Sequence, residues 1–155
     1  MTFAKARSGS DRGATLIEFA ILAPLLFLFL FGIIEFGWLF ARNVNVSHGA
    51  REGARLAIVD FGNANAIVAE TCDRMTLATM GNPSAVDVTL GRADATGNGS
   101  ANDVGDYAIV TVTAPGTSLT GLFNWALPPT LQLTSTAEIL IEQSPSWSTG
   151  TFACP

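Results

Sequence analysis

The sequence predicts an α+β chain: a long N-terminal transmembrane helix extending into a small domain with a second helix and a three- to four-stranded antiparallel sheet. Three observations predict it. An apolar run over residues 16–41 is broken only by Glu18 and Glu35. A stretch without proline, 43–59, follows with helical spacing. After residue 84, short β-rich segments alternate with turn-forming residues.

The apolar run is long enough to cross a bilayer, because about 20 residues rising roughly 1.5 Å each cover a hydrocarbon core of about 30 Å. Continued unbroken over 14–59, the helix would reach about 69 Å. Pro24, Gly32 and Gly37 are where a bend or local unwinding is expected. Of the 155 residues, 14–41 are thus assigned to the membrane and 42–155 to one domain of ordinary size outside it. That leaves no room for a large catalytic core.

Beyond the span, Phe40, Val44, Ser47, Ala50, Ala54 and Ile58 recur at steps of three and four and form a weakly apolar stripe. Gly49 and Gly53 make a small-x-x-x-small pair, which lets backbones approach closely. A neighbouring helix and the chain's own sheet are equally good candidates for that contact. Residues 60–63 read as a turn, and 64–80 as a second helix stopped by Gly81-Asn82-Pro83, with Cys72 in its middle. Strands are expected over 85–90, 107–114 and 131–141. In the second of these Tyr107, Ile109, Thr111 and Thr113 alternate with Val110 and Val112. A sheet this small needs one face covered, and the long helix is the nearest cover.

Gly13, followed by four residues and then Glu18 and Phe19, resembles the prepilin cleavage motif of type IV pilins and pseudopilins. Together with Pro24 and the run Ala50-Arg51-Glu52-Gly53-Ala54-Arg55, it resembles the TadE-like pseudopilins of the tight-adherence pilus system, well over about 12–59 and in outline beyond. The resemblance implies a pilin-like layout and a leader, 1–13, cut by a prepilin peptidase between Gly13 and Ala14. It also implies that Glu18 meets the freed amine of a neighbouring subunit. Arg51, Glu52 and Arg55, with Gly49 and Gly53, become candidates for helix packing or partner contact. Implied partners are the peptidase, other pilins and pseudopilins, the inner-membrane assembly platform and the lipid bilayer.

Physical chemistry bears on Glu18 independently. A charge inside a span costs on the order of 2.5 kcal/mol or more, and no cation lies within a turn of it except the amine that cleavage would create at Ala14. An unpaired carboxylate there would be protonated or costly. Glu35, about 25 Å further along a helix, falls near the opposite interface. It is expected to snorkel to water beside Trp38 or to meet Arg42 of another subunit.

The formal charge is −5; residues 1–13 hold three of eight cations and one of thirteen anions, so their removal leaves five against twelve, or −7. An acidic domain argues against nucleic acid. Arg42, Arg51 and Arg55 match the leader cations in number, so charge does not decide orientation. The cleavage motif places the N-terminus in the cytoplasm and the domain in the periplasm or outside the cell. A secretory signal is the competing reading of the N-terminus, but the apolar run is too long for it and no small-x-small site follows.

Cys72 and Cys154 are the two cysteines; outside the inner membrane they can pair, or stay independent thiols. In the polar loop 91–106, expected to be exposed and mobile, Asp94, Thr96, Asn98, Gly99, Ser100 and Asn102 fall at calcium-loop offsets. Gly105 occupies the position where a bidentate glutamate is required, so no metal site is assigned. His48 reads as a helix-surface residue near Glu52. Without a phosphate loop, a metal cluster or a nucleophile elbow, neither catalysis nor a cofactor is expected. The sequence therefore reads as a minor pilin or pseudopilin required for assembly of an adhesive pilus. The alternative is a single-pass membrane-anchored periplasmic binding module that never enters a filament. An exported enzyme or inhibitor is a third class.

Overall fold

A computed structural model describes residues 11–128 and 130–155; most of the expected leader, 1–10, lies outside them. Helix α1, Asp11–Ile58, has 48 residues and is about 72 Å long. It runs through Pro24, Gly32 and Gly37 without interruption. Two solvents divide it. From Leu16 to Phe36 large apolar side chains are exposed, whereas Val46, Ala50, Ala54 and Ala57 are fully buried against the sheet.

The buried stripe is rotated from the expected one. Ala50, Ala54 and Ile58 lie in it, but Phe40 is 70% and Val44 49% exposed, and Arg42 and Val46 take the inward positions. Small residues decide the seat. A Cβ on Gly53 would stand 2.8 Å from Thr71 Oγ1 and 3.0 Å from Val110 Cγ1, and one on Gly49 would overlap Met75. Both glycines therefore pack on the chain's own domain.

The C-terminus of α1 closes with Asp60 in the left-handed region, φ 50°. Phe61 N–H donates to Leu56 O (3.2 Å) and Asp60 N–H to Ala57 O (3.4 Å), the pair of bonds that satisfies the last carbonyls of a helix. Helix α2, Ala64–Asp73, begins at Asn63, whose side chain accepts from Ala66 N–H. It ends seven residues before the expected 80. The cause is tertiary: Asn45 Oδ1 on α1 accepts from Leu77 N–H (3.1 Å) and Ala78 N–H (3.0 Å), and Arg42 Nη2 donates to Ala78 O (3.0 Å). These bonds hold 77–78 as a turn against α1.

Four strands, β1 Asp87–Ala93, β2 Tyr107–Pro115, β3 Gln132–Leu140 and β4 Gly150–Ala153, form an antiparallel sheet in the order β3-β2-β1-β4. A 3-10 turn at Pro83–Ala85 displaces the start of β1 from the expected 85. The sheet's inner face carries Val88, Leu90, Ala108, Val110, Val112 and Ala114, all buried. Its outer face carries a row of threonines in register across all four strands, Thr151, Thr89, Thr111 and Thr136. The outer pairs bond side chain to side chain at 2.9 Å. A fourth strand was allowed for by the sequence, but its place at 150–153 was not. Four residues carry little periodicity, and its place is set by pairing with β1 and by a disulfide between Cys154 and Cys72 on α2.

The bonded cysteines are 82 positions apart, so Cys154→Ser is expected to lower stability by on the order of 2–4 kcal/mol. Denaturant unfolding of the purified protein, with reductant as a control that removes the difference, measures it. Gly53→Val should cost roughly 1–3 kcal/mol by overpacking; an unchanged unfolding midpoint would contradict the close seat of α1 on the sheet.

Candidate functional site

Along α1 the residues expected to act in processing and assembly stand clear of the domain. Gly13 and Ala14 are exposed within the helix, and Phe19 is 65% exposed. Glu18 is exposed among Leu16, Ile17, Phe19 and Ile21, themselves well exposed. The structure brings no cation of the described residues to it. It is thus a carboxylate on an apolar cylinder whose partner, if charged, must come from elsewhere.

Glu35 departs from expectation. It is 1% exposed and reaches neither water nor Arg42. Its carboxylate accepts from Leu119 N–H (2.9 Å), Thr120 N–H (3.2 Å) and Thr120 Oγ1 (2.9 Å). These donors belong to the long connection between β2 and β3, which descends beside the helix from the end of the sheet. Two turns further on, Arg42, 2% exposed, donates through Nη1 to Thr117 Oγ1 of the same connection. A carboxylate and a guanidinium seven residues apart on one face grip successive residues of one loop. The sequence carries no local signal for this, since the partners lie 75 to 85 positions away.

Of the run 50–55, Arg51 is exposed and Arg55 lies 4.0 Å from Glu52, three residues before it. Such a surface pair is worth little by itself. Gly49 and Gly53 face inward, so the outward charges, not the glycines, are available to a partner. His48 is exposed on the helix.

The polar loop between β1 and β2 is organised around two carboxylates. Asp94 accepts from Gly97 N–H (2.6 Å), Gly99 N–H (2.8 Å) and Thr96 Oγ1 (3.2 Å). Buried Asp106 accepts from Asp103 N–H (2.9 Å), Ala95 N–H (3.1 Å) and Thr96 N–H (3.3 Å). The calcium-like offsets therefore hold the loop's own amides. Bonds from Gly99 N–H foremost hold Asp94 below the usual carboxylate range, and those from Asp103 N–H foremost do the same for Asp106. At the far end of α1, Trp147 is buried and donates Nε1–H to Ala57 O at 2.9 Å. Arg92 stacks 4.2 Å from its ring centroid.

With this geometry established, comparison with known proteins is informative in one place. Residues 13–55 match the family model described as TadE-like protein, which relates the chain to the Tad pilus system. The match begins at Gly13, takes in Glu18, Glu35 and Arg42, and ends at Arg55, before the sheet. No curated protein and no solved structure matches the chain. Helix α1 is long and apolar enough to cross a membrane, compatible with a single-pass anchor.

Replacing Glu35 by Ala leaves the part-buried N–H groups of Leu119 and Thr120 without acceptors, at no more than about 1–3 kcal/mol for each. Hydrogen exchange at those two amides should accelerate while the β2 amides keep their protection. For Asp106 the folded pKa lies below the ordinary 3.8. Its contribution to stability is therefore intact above that value and is lost as pH falls through the folded value. Amides 95, 96 and 103 should lose protection below about pH 3.8, and Asp106→Asn should remove the pH dependence.

Proposed function

We propose that the chain is a minor pilin or pseudopilin of a Tad pilus, synthesised with a leader that a prepilin peptidase removes after Gly13. It sits in the bacterial inner membrane by a single pass, N-terminus in the cytoplasm and sheet domain in the periplasm or outside the cell. There it takes part in assembly of an adhesive type IVc pilus, with other pilins, pseudopilins and the assembly platform as partners. The observation that supports this best is the TadE-like match over 13–55, laid on a helix whose first half exposes apolar side chains and one carboxylate.

That carboxylate supplies the mechanism. When the leader is cut, the new amine of Ala14 lies near the same membrane depth as Glu18 of an adjacent subunit. Pairing the two removes the cost of a lone charge in hydrocarbon and sets the axial register between neighbours. Arg51, Glu52 and Arg55, outward on the helix just beyond the span, are the residues proposed to meet a partner at the membrane surface. The role is structural, with no catalysis, cofactor or nucleic acid in it: Glu35, Asp94 and Asp106 each hold the chain's own donors.

One observation favours the second reading, a membrane-anchored binding module outside any filament. Gly49 and Gly53 are consumed by the chain's own core, so this small-residue pair is not free to seat a neighbour's helix.

Two measurements separate these readings. Co-expression with a prepilin peptidase is expected to yield a mature N-terminus at Ala14 by mass and N-terminal sequencing, and the intact leader without it. Glu18→Ala is expected to insert in the membrane normally yet abolish pilus assembly in cells; pili at wild-type level would move the weight to the anchored module.

A further inference from the structure

The connection between β2 and β3, residues 116–131, is not a loop in water. From Tyr107 to Ala137 the chain has no charged residue, and the part that descends beside α1 is apolar. Leu119 is 52%, Leu122 56% and Trp125 82% exposed. Leu122, Phe123 and Trp125 line one cleft with Pro24, Leu28 and Phe31 of α1, and Phe123 rests over Gly32. Pro24 lies eleven residues before Glu35, so the loop follows the helix for about 16 Å, roughly half of a hydrocarbon core of about 30 Å.

Irregular backbone is tolerated at that depth only where its polar groups are satisfied within the protein. Here most of the N–H groups are, and the carbonyls of Gly121 and Phe123 accept within the loop. Leu119 and Thr120 N–H go to Glu35, Gly121 N–H to Ser118 Oγ and Leu122 N–H to Thr120 Oγ1. Asn124 N–H goes to Gly121 O, and Ala126 and Leu127 N–H both go to Phe123 O. A surface loop in water has no need of exposed Leu122 and Trp125.

We propose that residues 118–127 form a membrane-embedded loop, inserted into the outer half of the bilayer that α1 spans, with the lipid acyl chains as the partner of Leu122 and Trp125. Glu35 is the clamp that allows it. An intramembrane carboxylate accepts the amides that would otherwise face hydrocarbon, and Arg42 fixes the loop's entry at Thr117. The lipid face of the protein is then a helix flanked by a hairpin of chain, wider on the side of the sheet domain than on the side of the N-terminus. This inference rests on the reading of α1 as a membrane span.

Site-directed spin labelling tests it. Both native cysteines are in the disulfide, so Leu26→Cys, Leu122→Cys and Trp125→Cys each create a single reactive thiol. The full-length protein is labelled and reconstituted in vesicles of phosphatidylethanolamine and phosphatidylglycerol. Collision with oxygen and with a water-soluble nickel chelate is then measured. Expected at 122 and 125 is the lipid signature seen at 26: frequent oxygen collision and loss of chelate collision. Chelate access at 122 and 125 with a lipid signature at 26 would overturn the loop insertion and leave the span intact. Low collision with both reagents at 122 and 125 would also overturn it, in favour of cover by a second copy. Chelate access at 26 would overturn the span itself, and the insertion with it.

Discussion

The close approach of α1 to the sheet is possible only because the helix offers Gly49, Ala50, Gly53, Ala54 and Ala57 at the contact. Backbone then lies nearly on the tips of Val110 and Thr71, and the valines of β1 and β2 fill a core that has few large side chains of its own. Much follows from that closeness. It brings Asn45 and Arg42 within reach of 77–78 and so ends α2. It sets Trp147 under the last turn of α1, where its indole N–H takes Ala57 O. The disulfide then ties the strand at one edge of the sheet to α2, so both helices and β4 are held to one body.

Charge in the apolar half of α1 is resolved in two different ways. Glu35 is buried and accepts from the β2–β3 connection, and buried Arg42 bonds Thr117 there and Ala78 O after α2 while its Nε has no partner, so both residues tie the helix to distant parts of the chain. Glu18 is left open on the helix surface. Two carboxylates of one apolar run thus have separate physical roles, one closing the subunit and one facing outward. The functional reading rests on the second, because a carboxylate exposed to hydrocarbon is stable only when something comes to meet it.

This division also describes what a subunit can present to an assembly. The N-terminal half offers an apolar cylinder with Glu18. The far half spends its small residues on the sheet and leaves Phe36, Phe40 and Val44 exposed, followed by Arg51 and Arg55. The sheet's outer face is threonine-rich, with hydroxyls bonded across strands, and it also carries the exposed carboxylates of Asp87 and Glu138.

Much of the fold was legible in the sequence. The long helix follows from 26 residues of nearly unbroken apolarity, 16–41, β2 from strict alternation, and the presence of a second helix from spacing after a turn. The match of 13–55 to the TadE-like family model was foreshadowed by Gly13, Glu18, Phe19 and the run 50–55, because those motifs are local in the chain. The partner of Glu35, the stop of α2 at Asp73, the edge strand β4 and the descent of 118–127 along the helix were decided by tertiary structure alone. Each depends on groups tens of residues apart, and a periodicity cannot carry the identity of a distant hydrogen-bond donor. Sequence by itself determined which segments are apolar, helical or extended; only the folded chain decided which buried polar group meets which, because desolvation favours pairing with whatever donor or acceptor the packing brings near, however far away it lies in the chain.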